Sequence, residues 1–186
     1  MYVVPEIDKA RAQAVLTRQP RPFTRKRNIL KTELLYLPSF LFLLRVKPGT
    51  GSHFVEYVTI EAIHGEFALI EKSDYSPEPV TPSRIYNFVL PSDEAEAVAL
   101  DLYKRILLKK SLKNKSMAVV ESIELEQKFY YPYWIGYFHH KGALDFDVID
   151  GISGKHQGPK MRSVFIELLL QQKKEAADAV QKKTDD

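Results

Sequence analysis

Tyr36-Leu37-Pro38-Ser39-Phe40-Leu41 falls on Tyr130-Tyr131-Pro132-Tyr133-Trp134-Ile135 when the two halves of the chain are aligned on their Tyr-x-Pro stretches. Leu43, Leu44 and Arg45 then fall on Tyr137, Phe138 and His139. The turn that follows is longer in the first half. Beyond it, Tyr57-Val58-Thr59-Ile60-Glu61-Ala62-Ile63-His64-Gly65 falls on Phe146-Asp147-Val148-Ile149-Asp150-Gly151-Ile152-Ser153-Gly154. Each half also opens with a helical segment near a proline, Pro5 or Pro91. This order of features predicts an α-β-β unit used twice. One such unit has too little apolar surface to stand alone, so the two are expected to pack together. The expected fold is α+β, with an antiparallel or mixed sheet and helices mainly on one face. The first unit spans residues 1–85, with a basic connector and a Pro-rich linker. The second spans 86–186 and adds a C-terminal helix.

Proline removes one ladder donor, so Pro38 and Pro132 are expected at sheet edges or bends. Pro5 to Arg18 reads as a helix, with Ile7, Ala10, Ala14 and Val15 as its apolar stripe. Glu33 to Arg45 and His53 to Ile63 read as a hairpin around the turn cluster Lys47–Ser52. Glu66 to Glu71 reads as a short strand. Ser92 to Lys110 reads as a helix with Ser92 at its N-cap and Asp93 and Glu94 in its first turn. Met117 to His140 reads as one long or bent strand, or two. In Ala143 to Asp150, Leu144, Phe146 and Val148 alternate with Asp145 and Asp147, which places the acids on a solvent face. Met161 to about Val180 reads as a final helix.

The chain has 186 residues, 45% apolar and 27% charged, an ordinary globular balance. It has no cysteine. Disulfides, thiolate metal sites and Cys nucleophiles are therefore excluded. The net charge is +3, from 27 basic and 24 acidic residues, too slight a bias to imply nucleic acid by itself. The N-terminus shows no basic region followed by an apolar one, so no signal peptide is expected. The longest apolar run, Leu34 to Leu44, contains Pro38 and Ser39 and falls short of the roughly 20 residues a membrane span needs. A cytoplasmic protein is expected.

The turn Asp150-Gly151-Ile152-Ser153-Gly154-Lys155, with the hairpin around it, resembles the Asp-x-x-(Thr/Ser)-Gly-Lys turn of PepSY-like domains. A degraded version stands at Glu61-Ala62-Ile63-His64-Gly65-Glu66. The resemblance covers about half the chain. It implies a non-catalytic role in binding, regulating or inhibiting a partner.

Aromatic residues crowd one strand: Phe129, Tyr130, Tyr131, Tyr133, Trp134, Tyr137 and Phe138. Successive side chains of a strand point to opposite faces, so aromatics occupy both. Either the fold buries both faces, or one meets a partner, where Tyr and Trp combine apolar area with a polar handle. If one hairpin fills the core, Tyr130, Tyr131, Tyr133, Trp134 and Tyr137 are expected to face outward. The basic connector, with Arg21, Arg25, Lys26 and Arg27, offers phosphate contacts, with Phe23 as a stacking ring. A solvated basic loop explains it as well.

No metal site is expected. His139 and His140 point to opposite faces of a strand, and no compact ligand spacing appears. Asp145, Asp147 and Asp150 lack the calcium-loop pattern. No phosphate loop or nucleophile elbow is present, and no cofactor is implied. The leading expectation is a non-catalytic interaction or structural protein, acting as a homo-oligomer or as a subunit of an assembly. The alternatives are a nucleic-acid module using the connector, and an enzyme with a pocket between the two units.

Overall fold

Two long strands carry the Tyr-x-Pro stretches, and everything else is arranged around their pairing. The structure, a computed structural model, describes residues 1–18, 27–70, 77–78, 86–114 and 117–182. In chain order the elements are β1 (Tyr2–Val3), α1 (Lys9–Thr17), β2 (Ile29–Pro48), β3 (Phe54–Glu61) and β4 (Phe67–Ile70). They continue with β5 (Pro77–Glu78), α2 (Ser92–Asn114), β6 (Ala118–His140), β7 (Ala143–Asp150) and α3 (Pro159–Lys182). The strands form one sheet in the order β4-β3-β2-β6-β1-β5, with β7 also paired to β6. All pairings are antiparallel except β1 with β6, so the sheet is mixed and the protein is α+β.

β2 and β6 pair antiparallel along nearly their whole length, with Leu37 opposite Tyr131. On either side of that pair, Tyr36 faces Pro132 and Pro38 faces Tyr130. A local two-fold axis through Leu37 and Tyr131 therefore exchanges one Tyr-x-Pro with the other. The outer pairings correspond in the same way. Phe40 pairs with Ile60 and Trp134 with Ile149. Leu43 pairs with Tyr57 and Tyr137 with Phe146. These are the residues that the alignment of the halves equates.

The two prolines sit on interior strands, yet neither breaks a ladder. Pro38 O accepts from Ala62 N at 2.8 Å, and Pro132 O accepts from Gly151 N at 2.9 Å. The N and C=O of one strand residue point the same way, so each missing donor faces the outer strand. The β2–β3 ladder begins one residue later at Ser39, and the β6–β7 ladder at Tyr133. Each proline thus stands where its outer partner peels away into a turn, a locally edge-like position.

The long strands bury both faces. Phe40, Phe42, Leu44 and Val46 lie on one face with Val58 and Ile60, under Ala95, Ala99, Tyr103 and Leu107 of α2. Leu34 and Trp134 lie on that same face and, with Ile149, pack against Ala12 and Leu16 of α1. Leu35, Leu37, Tyr133, Ile135, Phe146 and Val148 form the opposite face, under Val164, Phe165 and Leu168 of α3. Two of the three helices therefore share a face. Each of them lies over the hairpin of the other half: α1 reaches β7 and α2 reaches β3.

Several local expectations shift. α1 starts at Lys9 rather than Pro5, because the Asp8 side chain caps it by accepting from Arg11 N at 2.7 Å. Its buried positions are Ala12 and Leu16, not Ala10 and Ala14. Alanines at 10, 12 and 14 blur the stripe, and tertiary packing decides it. α2 takes Ser92 as its first helical residue and runs on to Asn114. Residues 118–140 form one continuous strand, with register shifts against β2 between Leu41 and Phe42 and between Arg45 and Val46. No helix among the described residues is long and apolar enough to cross a membrane.

Candidate functional site

The turns that follow β3 and β7 are built alike, and each is organised by a carboxylate. Glu61 accepts from Ile63 N at 2.6 Å and from His64 N at 2.9 Å. Asp150 accepts from Ile152 N at 2.9 Å and from Ser153 N at 2.8 Å. Gly65 N donates to Glu61 O at 3.0 Å, and Gly154 N to Asp150 O at 2.9 Å. Gly65 and Gly154 have φ of 77° and 70°, the left-handed region where a side chain is strained. Glu61 N bonds Glu66 O, and Asp150 N bonds Lys155 O, both at 2.9 Å. Each turn thus needs an acceptor side chain at its first position and glycine at its fifth.

Both carboxylates lie on the α3 face and line a cavity of about 610 Å³. Its floor comes from the sheet: Ser39, Thr59, Tyr131 and Tyr133. One wall is β4, from Phe67 to Ile70, and the other is the Ile152–Lys155 turn with the start of α3. The cavity therefore opens between the two hairpins.

The interior groups are acids and hydroxyls. Glu61 is only 4% exposed. Burial raises its pKa to about 7; the two backbone N–H groups and His64 pull it down, while Glu66 pushes it up. Tyr131 OH donates to Asp150 at 3.1 and 3.2 Å. Tyr133 is 8% exposed, its ring packed at 5.4 Å from Phe165 and 5.3 Å from Tyr131. Its hydroxyl has no hydrogen-bond partner among the described residues. Burial raises its pKa first, and the charges of Asp150 and Glu61 raise it further. The basic groups sit at the rim: Lys155 is exposed, and Lys160 pairs with Glu66 at 3.4 Å. α3 is tied to the turn after β3 by His64 to Glu167 and to β7 by Arg162 to Asp145.

The aromatic strand does not face outward. β6 is an interior strand with helices over both faces, so Trp134 (7% exposed) and Tyr133 are core. Trp134 Nε1 donates to Ile7 O at 2.8 Å under α1. Tyr130 is half-buried, stacked on Tyr2 at 4.9 Å, and donates to Tyr86 O at 3.3 Å. Tyr137 packs against Phe146 at 6.3 Å. Of the five residues, Tyr131 and Tyr133 are the two that reach the cavity. Arg21, Arg25 and Lys26 lie outside the described residues. Arg27 is engaged: it pairs with Asp147 at 2.5 Å and lies 4.4 Å over the Phe138 ring. Asp145 and Asp147 are accordingly half-buried ion-pair partners rather than solvent-facing acids.

The alignment of the halves already equated Glu61 with Asp150, but only the fold brings both to one cavity with Ser39, Thr59 and the β4 wall. Compared with protein-family models, with curated proteins and with solved structures, the chain matches none.

Proposed function

We propose that this chain is a non-catalytic binding protein made of two PepSY-like α-β-β units, whose ligand enters the cavity between their hairpins. The observation that carries this is the cavity itself: about 610 Å³, lined from both halves, with a nine-tenths-buried tyrosine whose hydroxyl has no partner among the described residues. Buried polar groups are normally satisfied, so an unspent hydroxyl facing a cavity marks a place for a ligand or water. The matched turns support the duplication and the PepSY likeness, since both depend on a first-position carboxylate and a fifth-position glycine. The reading keeps the interaction role expected from the sequence and moves its surface from the aromatic strand to the seam.

An enzyme with a pocket between the units draws on the same cavity and on the raised pKa of Glu61. Against it, each carboxylate is pinned in its turn by two backbone N–H groups, which hold it in a structural role. A catalytic acid or base needs freedom to exchange its proton with a substrate.

The test is a titration of ¹⁵N-labelled protein with small solutes of different polarity, followed by amide shifts. Shifts concentrated in residues 59–70 and 150–161 are expected. Shifts scattered over the surface in proportion to exposure would overturn the reading.

A further inference from the structure

The ionisable groups of the cavity are sorted by depth. The buried and half-buried ones, Glu61 and Asp150, are acids. The bases, Lys155 and Lys160, are exposed at the rim. Glu6 and Glu66 add two further carboxylates to the lining, and Lys160 answers Glu66. No cation faces Glu61 from within the cavity among its described lining residues.

The acceptors inside are not used up. A carboxylate offers about four lone-pair sites. Glu61 spends one on Ile63 N and one on His64 N. Asp150 spends Oδ1 on Ile152 N and Ser153 N, and the Tyr131 hydroxyl straddles both of its oxygens. Tyr133 lines the same cavity as both carboxylates, stands opposite Asp150 in the sheet, and its hydroxyl has no partner among the described residues. Aromatic faces from Tyr131, Tyr133 and Phe67 complete the walls. Unspent acceptors, aromatic faces and no interior cation together describe a receptor for a compact positive donor.

We infer that the cavity takes a primary ammonium group, held between Glu61, Asp150 and the hydroxyl of Tyr133, on a ligand whose apolar stem lies along Phe67 and Ile70. An ammonium carries three donors and no acceptor, which fits this set. A guanidinium engages both oxygens of one carboxylate in a single plane, and here both oxygens of Glu61 already accept from the turn while the Tyr131 hydroxyl straddles both oxygens of Asp150. The ammonium could arrive on a free amine or on a lysine side chain. This inference rests on the seam cavity being the binding site.

The experiment titrates the full ¹⁵N-labelled chain at pH 8 with n-butylamine, n-butanol, sodium butyrate and acetyl-Gly-Lys-Gly-amide, reading the amides of residues 61–66 and 150–155. Butylamine is expected to half-saturate these shifts at about tenfold lower concentration than butanol, the scale of one charge-assisted hydrogen bond. Asp150→Asn, which keeps an acceptor for the turn, and Tyr133→Phe should each weaken butylamine several-fold and leave butanol unmoved. Their own amide spectra check that they fold. Tighter binding by the lysine tripeptide than by butylamine assigns the amine to a peptide; binding by butylamine alone assigns it to a small molecule. Butanol or butyrate half-saturating these amides at the same concentration as butylamine, or lower, overturns the ammonium and leaves the cavity reading standing. Shifts from none of the four overturn both.

Discussion

Gly151→Ala tests the joint between turn and Tyr-x-Pro strand, on which the placement of Asp150 depends. Gly151 N donates to Pro132 O at 2.9 Å. A Cβ built on Gly151 would stand 2.7 Å from Pro132 O, 2.9 Å from its Cβ and 3.0 Å from its carbonyl carbon. Two of these atoms are backbone in an interior strand, so a rotamer change cannot relieve the contact. Either the turn lifts and stretches its hydrogen bond, or β6 bends. Overpacking of this kind costs about 1–3 kcal/mol. For a chain of this length each kcal/mol lowers Tm by about 2–4 °C, so a fall of roughly 2–12 °C is expected. Ala62 provides the control. It occupies the equivalent place, with its N bonded to Pro38 O at 2.8 Å, and is fully buried. There the methyl already fits, so Ala62→Gly loses buried apolar surface and adds backbone freedom, costing about 1–2 kcal/mol. The two positions should therefore respond with opposite residue preferences. The assay is urea unfolding followed by far-UV circular dichroism, with Tm as a second measure. Gly151→Ala unfolding within about 0.5 kcal/mol of the parent would refute the close packing of turn against proline.

Glu61 makes stability depend on pH. Its folded pKa of about 7 exceeds the ordinary 4.5, so the native state binds the extra proton between those values. Stability from this group is full below about pH 4.5 and is lost as pH rises through 7, by on the order of 3 kcal/mol. The groups acting on it are His64 and Glu66 on its own turn and Tyr133 from β6, while Lys160 and Glu167 of α3 pair with Glu66 and His64 instead. Glu61→Gln should flatten this component of a urea-midpoint profile between pH 5 and 8; an unchanged slope would reject the assignment to Glu61. Trp134, the single tryptophan, should emit at the blue end as a buried indole. Trp134→Phe removes the 2.8 Å bond to Ile7 O and should cost about 1–3 kcal/mol, and a red-shifted native spectrum would contradict its place under α1.

The α+β class and the mixed sheet were legible from the strand and helix patterns, whereas the central pairing of β2 with β6 was not, because no local pattern says which two strands will meet. β7 is bounded in the fold as its alternation predicts, from Ala143 to Asp150. Of the two alternatives for the aromatic strand, the fold takes the one that buries both faces. Large apolar side chains on both faces belong to an interior strand between two layers, and Tyr133 under α3 with Trp134 under α1 is that case. Alternation reports that a strand has two faces; it does not report how many layers cover them. The cavity was hidden because its residues come from β2, β3, β4, β6 and two turns, which local patterns cannot bring together. Glu61 was visible only as a weakened copy of Asp150, since the sequence cannot say that a carboxylate will be desolvated.

The crossing of the helices over the sheet has a kinetic consequence. Ile7 and Trp134, joined by a hydrogen bond, are 127 residues apart along the chain. α1 is made well before β6 and β7, which form half of the surface it rests on. Until then Ala12 and Leu16 have only Ile29 and Leu34 of β2 to rest on. The loop that this contact closes is long, and its entropy is lost before the contact can compensate. Synthesis therefore leaves α1 waiting for strands more than a hundred residues downstream, and its packing closes late.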